Sequence, residues 1–247
     1  MKILALIPAR MGSSRFPGKP MALILGKPMI GHVYTQVAKS SLVNHTVVAT
    51  CDQEIYDYIE SIGGIAVMTG TQHERASDRC TEALIKLESK NKIKYDIVVM
   101  VQGDEPMVQP EMIAEAVQPL IDDSNIQVTN LLGVISSKNE FEDHNCIKVV
   151  CDLNFNALYF SREPIPTSSR ISQIQMRKQI CVIPFRRDFL LKYTSMVPTP
   201  LEIAESVDMM RILEHGFKVR MVSTQYETQA VDNLDDLKKV EILMHKL

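Results

Sequence analysis

Three cations and a set of small residues follow an apolar run near the start of the chain. Residues 3–7 lead into Pro8-Ala9-Arg10-Met11-Gly12-Ser13-Ser14-Arg15-Phe16-Pro17-Gly18-Lys19-Pro20. Glycine and serine let backbone N–H groups approach an anion closely, and Arg10, Arg15 and Lys19 add forked or point-like donors. The chemistry this suits is phosphate binding, and the expected ligand is a nucleotide. Spacing excludes the P-loop: five residues separate Gly12 from Gly18-Lys19 instead of four, and Pro20 stands where a Ser or Thr would meet magnesium. The run is not GxGxxG either.

Two carboxylate clusters could complement that loop. Gln102-Gly103-Asp104-Glu105-Pro106 follows the uninterrupted apolar run 97–101, the pattern of a central strand covered on both faces. A carboxylate at such a strand tip suits magnesium, which takes one or two protein carboxylates beside substrate phosphates, although a Gly-Asp pair is also an ordinary turn. Asp232 in Val231-Asp232-Asn233-Leu234-Asp235-Asp236-Leu237 is the second candidate, and the same run reads as a helix N-cap through Asp232 or Asn233. In His73-Glu74-Arg75-Ala76-Ser77-Asp78-Arg79, Ser77 or Asp78 caps a helix. Arg79 in its first turn opposes the helix dipole, which suggests a hydrogen-bonding role toward a base.

Short β-rich runs alternate with amphipathic helix-length segments: 3–7 then 29–39, 46–49 then 54–62, 65–68 then 77–87, 97–101 then 112–121. This alternation predicts right-handed βαβ units in a mainly parallel sheet, with ligands beyond the carboxyl ends of the strands. The cationic loop and the Asp104 loop both fall there. From about residue 128 the rhythm changes to consecutive strand-like stretches at 128–134, 147–151, 158–160 and 180–185, read as an inserted β-rich lobe over about 133–186 within one domain spanning 1–247. Residues 164–179 are the expected mobile arm or lid. A helix over 201–213, a strand over 219–222 and a closing helix near 234–243 complete the pattern.

With 23% charged residues, 45% hydrophobic residues and a formal net charge of -3, nothing draws the chain generally to nucleic acid or to a membrane surface. No basic leader and no long apolar run stands out, so the expected location is the cytoplasm. Five cysteines without CxxC spacing indicate neither a disulfide framework nor a zinc site.

Taken in order, these segments resemble the CMP-Kdo synthetases, or 3-deoxy-manno-octulosonate cytidylyltransferases. The resemblance rests on the 7–20 loop, Gly26-Lys27-Pro28-Met29-Ile30, Val101-Gln102-Gly103-Asp104-Glu105-Pro106 and Ile147-Lys148-Val149-Val150. It continues through Ala157-Leu158-Tyr159-Phe160-Ser161-Arg162, Pro164-Ile165-Pro166, Pro198-Thr199-Pro200-Leu201-Glu202 and the Asp232 run. It implies a Rossmann-like, GT-A-like α/β nucleotidyltransferase whose lobe serves homodimer contact and sugar binding. It also implies transfer of CMP from CTP to an acidic 2-keto sugar, for lipopolysaccharide or surface polysaccharide synthesis. By that resemblance Arg10, Ser13 and Lys19 hold the CTP phosphates with Arg15 supporting the loop, and Pro8, Ala9 and Gln102 also belong to the nucleotide site. Ser77 and Arg79 lie near the base, and Asp104 and Asp232 bind magnesium. Gln102, Arg162, Gln179 and Glu202 fall on the substrate side, and Arg10, Lys19, Asp104 and Asp232 are the catalytic set.

Two departures matter. Arg75-Ala76 occupies a position where the family has Ser-Gly, and Gln179-Ile180-Cys181-Val182-Ile183-Pro184-Phe185-Arg186 lacks the usual histidine and tyrosines. Lost donors change which hydroxyls a site can demand. A different acid as acceptor, or a CTP-binding paralogue without turnover, are therefore the alternatives; Gln173, Gln175 or Arg177 are candidate replacement donors.

Overall fold

A computed structural model describes residues 1–13, 15–169 and 175–245. In chain order the elements are β1 (Ile3–Ala9), a 3-10 turn (Lys19–Met21), β2 (Leu23–Ile24), β3 (Lys27–Pro28), α1 (Met29–Val37), β4 (His45–Thr50), α2 (Gln53–Ser61), β5 (Ala66–Met68), α3 (Ala76–Asn91), β6 (Ile97–Val101) and α4 (Pro110–Asp122). Then follow β7 (Thr129–Val134), α5 (Lys138–Glu142), β8 (Lys148–Cys151), β9 (Ala157–Ser161), β10 (Arg177–Ile180), β11 (Val182–Arg186), α6 (Arg187–Thr194), α7 (Pro200–Glu205), α8 (Asp208–Glu214), β12 (Arg220–Ser223) and α9 (Leu234–Met244).

The first sheet runs β11-β6-β1-β4-β5, parallel except for β11, which pairs antiparallel to β6. Strands β1 and β6 are buried along their whole length because helices cover both faces. Leu4, Leu6, Val98 and Met100 face α3 and α6, while Ile3, Ala5, Ile7, Val99 and Val101 pack with residues of α1, α2 and α4. The second sheet runs β12-β7-β10-β8-β9. Its neighbours pair antiparallel, except that β12 is parallel to β7.

The boundaries of the second sheet differ from the range 133–186. The stretch expected as one strand at 180–185 belongs to two: β10 lies in the middle of the second sheet, between β7 and β8, and after Cys181 the chain passes into the first sheet as β11. Strand β12, far along the chain, completes the second sheet instead. The helix expected over 201–213 is broken into α7 and α8 by Ser206, whose left-handed backbone (φ 51) ends the first. Of the arm expected over 164–179, residues 170–174, and with them Gln173, lie outside the described residues. Residues 177–179 are strand. Among the described residues no helix is long and apolar enough to cross a membrane.

Candidate functional site

Strands β1 and β6 end side by side, so the loops that leave them open at one edge of the sheet. The first loop is held by its own backbone: the Met11 carbonyl accepts from Ser13 N and Gly18 N at 2.9 and 3.0 Å. Gly18 has φ 75, a conformation that a side chain disfavours. Asp52, just past β4, accepts the Met11 N–H at 2.8 Å and fixes where the loop begins. Gly103 sits tightly against the same strand end, where an added Cβ would lie 3.1 Å from the Pro8 carbonyl oxygen.

The cations and carboxylates of both loops meet. Lys19 Nζ donates to Asp104 Oδ2 at 2.7 Å and to Asp232 Oδ1 at 3.5 Å, and Arg15 Nη2 donates to the same Asp232 oxygen at 2.9 Å. Asp232 arrives because Val231 N donates to the Asp104 carbonyl at 3.0 Å. Asn233, not Asp232, caps α9, its side chain accepting from Asp235 N and Asp236 N. The cap and the candidate carboxylate are therefore neighbouring residues with separate tasks. Burial and the charge of Asp104 push the Asp232 carboxyl up, against the pull of Lys19 and Arg15. Burial opposes the charge on Lys19, but Asp104 and Asp232 outweigh it and raise its pKa, so the ammonium stays protonated. Glu105, buried behind this group, accepts the Cys181 N–H at 3.1 Å. Its carboxyl is raised to about 7 by burial and then by Asp104.

Two cavities adjoin the cluster. The smaller, of about 260 Å³, is lined by Pro8, Ala9, Arg10, Ser13, Lys19 and Arg79 among others. The larger, of about 1050 Å³, reaches across the second sheet to Arg162, Lys178, Gln179 and the polar run 224–230. Arg15, Arg75, Gln102 and Asp104 border both. Arg15 also donates to Asn145 Oδ1, joining the cationic loop to the loop before β8.

Several expected residues have other duties. Arg79 borders the smaller cavity, but its terminal nitrogens donate to Thr69 Oγ1, the Gly70 carbonyl and the His73 carbonyl, so it braces the loop instead of offering a free fork to a base. Ser77 neither caps α3, which starts at Ala76, nor lines either cavity. It is buried and donates to Asp208 Oδ2 at 3.3 Å. Glu202, expected on the substrate side, does not face either cavity: it is fully buried, and Arg211 donates to it twice, at 2.7 and 2.6 Å. Arg162 does line the larger cavity, with its donors on the carbonyls of Glu205, His144 and Ser206. Arg75 leans on Asp208 at 3.1 Å, and the Asp208 carboxyl is pushed up by burial despite that partner.

Sequence reasoning did not single out Asp52, Asn145, Lys178, Asp208 or the run 224–230. Asp52 had a signal, a carboxylate at the carboxyl end of a parallel strand. Asn145, Lys178 and the run 224–230 are brought in through the second sheet, and Asp208 opens α8, where Arg75 and Ser77 hold it.

Comparison with known proteins adds to this geometry. The sequence profile of the cytidylyltransferase family matches residues 4–224. The chain is 42% identical to a 3-deoxy-manno-octulosonate cytidylyltransferase of Geobacter metallireducens, covering 97% of this chain and 96% of that protein. It is 43% identical to one of Geotalea uraniireducens, covering 97% and 98%. A solved structure described as CMP:2-keto-3-deoxy-manno-octonic acid synthetase complexed with CTP superposes with a TM-score of 0.89 at 36% identity, over 100% of this chain and 99% of that one.

Proposed function

The chain belongs to the cytidylyltransferase family, and on that premise we propose that it transfers CMP from CTP to the anomeric hydroxyl of 3-deoxy-manno-octulosonate (Kdo) or a close 2-keto sugar acid, releasing pyrophosphate. The observation that carries the reading is the meeting of Arg15, Lys19, Asp104 and Asp232 at the junction of the two cavities. One cavity is walled by the phosphate-type loop, and the other is large, polar and next to it. Two substrates held in such neighbours would face each other across the carboxylates. The relatives named for this reaction, and the neighbour bound to CTP, support the same assignment.

In this reading the hydroxyl oxygen gives up its proton to solvent and forms a bond to the α-phosphorus as the bond to the pyrophosphate oxygen breaks. Arg10 and Lys19 hold the phosphates and stabilise negative charge on the departing pyrophosphate, and Ser13 adds a hydroxyl donor. Arg15 keeps the loop against Asp232 and Asn145, so the donors are in place before reaction. Gln102, common to both cavities, lies where the two substrates would meet. Asp104 and Asp232 fit a magnesium ion: they already converge on one cation, and two carboxylates with substrate phosphates are a usual donor set for it. Such an ion would supply charge neutralisation at the phosphates. The homodimer and the cytoplasmic location belong to the same proposal.

The test is pyrophosphate release by the purified chain with CTP, magnesium and, in turn, Kdo, N-acetylneuraminate or no acid. Release with Kdo supports the proposal. Release only with another acid reassigns the acceptor, and none despite CTP binding overturns it.

A further inference from the structure

Gln179 on β10 and Asn130 on the adjacent β7 have amides whose pairing decides what the larger cavity offers a ligand. Asn130 is fully buried. Its Nδ2 donates to the Ile180 carbonyl at 2.7 Å and to the Leu131 carbonyl at 3.1 Å. Both partners are backbone oxygens that can only accept, so the amide has one orientation, with Oδ1 as its acceptor end. Gln179 supplies the donor, its Nε2 lying 2.6 Å from that Oδ1. With its nitrogen so directed, Gln179 retains Oε1, which receives no hydrogen bond among the described residues, and the side chain lines the larger cavity.

We infer that Gln179, oriented by Asn130, offers an acceptor oxygen to the second substrate and so selects a hydrogen-bond donor, a hydroxyl or an ammonium, at that point of the molecule. The inference rests on the proposed reading only in taking the cavity's ligand to be the acid that receives CMP. Oxygen facing oxygen is repulsive, so the carboxylate of that acid belongs elsewhere, beside the cations Arg15, Arg75 or Arg162 of the same cavity. Gln179 is the specificity-determining group, and Asn130, which does not reach the cavity, is a positioning residue acting through it.

Gln179→Met keeps the length and removes the polar end. With CTP and Kdo as substrates, KM for Kdo should rise about tenfold or more while KM for CTP stays within about twofold. The wild-type chain should reject one monodeoxy analogue of Kdo by about tenfold in kcat/KM, and Gln179→Met should treat that analogue and Kdo alike. If Asn130 acts through Gln179, the double variant Asn130→Ala/Gln179→Met loses no more kcat/KM than Gln179→Met alone. Should Asn130→Ala fail to fold, the analogue series with Gln179→Met decides by itself. A Gln179→Met enzyme that matches wild type on Kdo, or keeps the same discrimination against deoxy analogues, overturns the inference and leaves the proposed function standing. A wild-type chain that binds CTP but releases pyrophosphate with no sugar acid overturns both.

Discussion

Replacing Arg211 with Met should destabilise the protein by about 3–5 kcal/mol, because it strands the Glu202 carboxylate in the interior. Glu202 is fully buried, and the Arg211 side chain is only 4% exposed. Two of Glu202's hydrogen bonds come from that guanidinium, leaving the Thr199 N–H at 3.3 Å and the more distant Arg75 Nε at 3.7 Å. The guanidinium also lies over the Tyr193 ring, 5.1 Å from its centroid, adding a cation–π contact to the loss. For a chain of this length each kcal/mol moves the midpoint by roughly 2–4 °C, so the thermal midpoint should fall by about 10 °C. Urea unfolding at neutral pH measures this directly. The double change Glu202→Leu/Arg211→Met should recover most of the loss, since apolar replacement of a buried pair is often neutral or stabilising. A single variant within about 1 kcal/mol of wild type, or a double variant as unstable as the single, would refute the reasoning that Glu202 is a structural carboxylate.

Two further outcomes follow from the same contacts. Lys19→Met removes the cation shared by Asp104 and Asp232, and kcat in the pyrophosphate assay should drop by about 10²–10³ with weaker CTP binding by calorimetry. Glu82 is pushed up by partial burial, but hydrogen bonds from Lys86, His73 and the Gly70 N–H outweigh that and hold it at about 2. A depressed carboxyl contributes stability above its unfolded pKa and loses it as pH falls toward the folded one. The wild type should therefore lose stability between about pH 5 and pH 2, and Glu82→Gln should flatten that limb in urea titrations.

The parallel sheet was legible because β1 and β6 are continuous apolar runs separated by amphipathic helices, a pattern set by burial on both faces. The cationic loop and Asp104 were legible for the same reason: both follow those strands. The path of the second sheet was not, because β12 joins it from more than eighty residues after β7 starts and β11 leaves it for the other sheet, choices made by pairing and not by local pattern. Glu202 read as a site residue only through the family resemblance of its motif; its partner Arg211 is nine residues on, across the break between α7 and α8. Arg79 had a genuine anomaly, a cation in a first helical turn, and the structure explains it by the three loop acceptors it braces. Asp232 and Asn233 could not be separated by sequence, since either could cap α9, and only the approach of Val231 to Asp104 divides their roles.

If CMP passes to a sugar acid at the junction marked by Asp104, single-turnover pyrophosphate release with CTP, magnesium and Kdo will separate wild type from Asp104→Asn. Wild type should release pyrophosphate and the variant should lose about a hundredfold or more of that rate, with its fold intact by circular dichroism. Equal release by the two proteins would contradict this assignment.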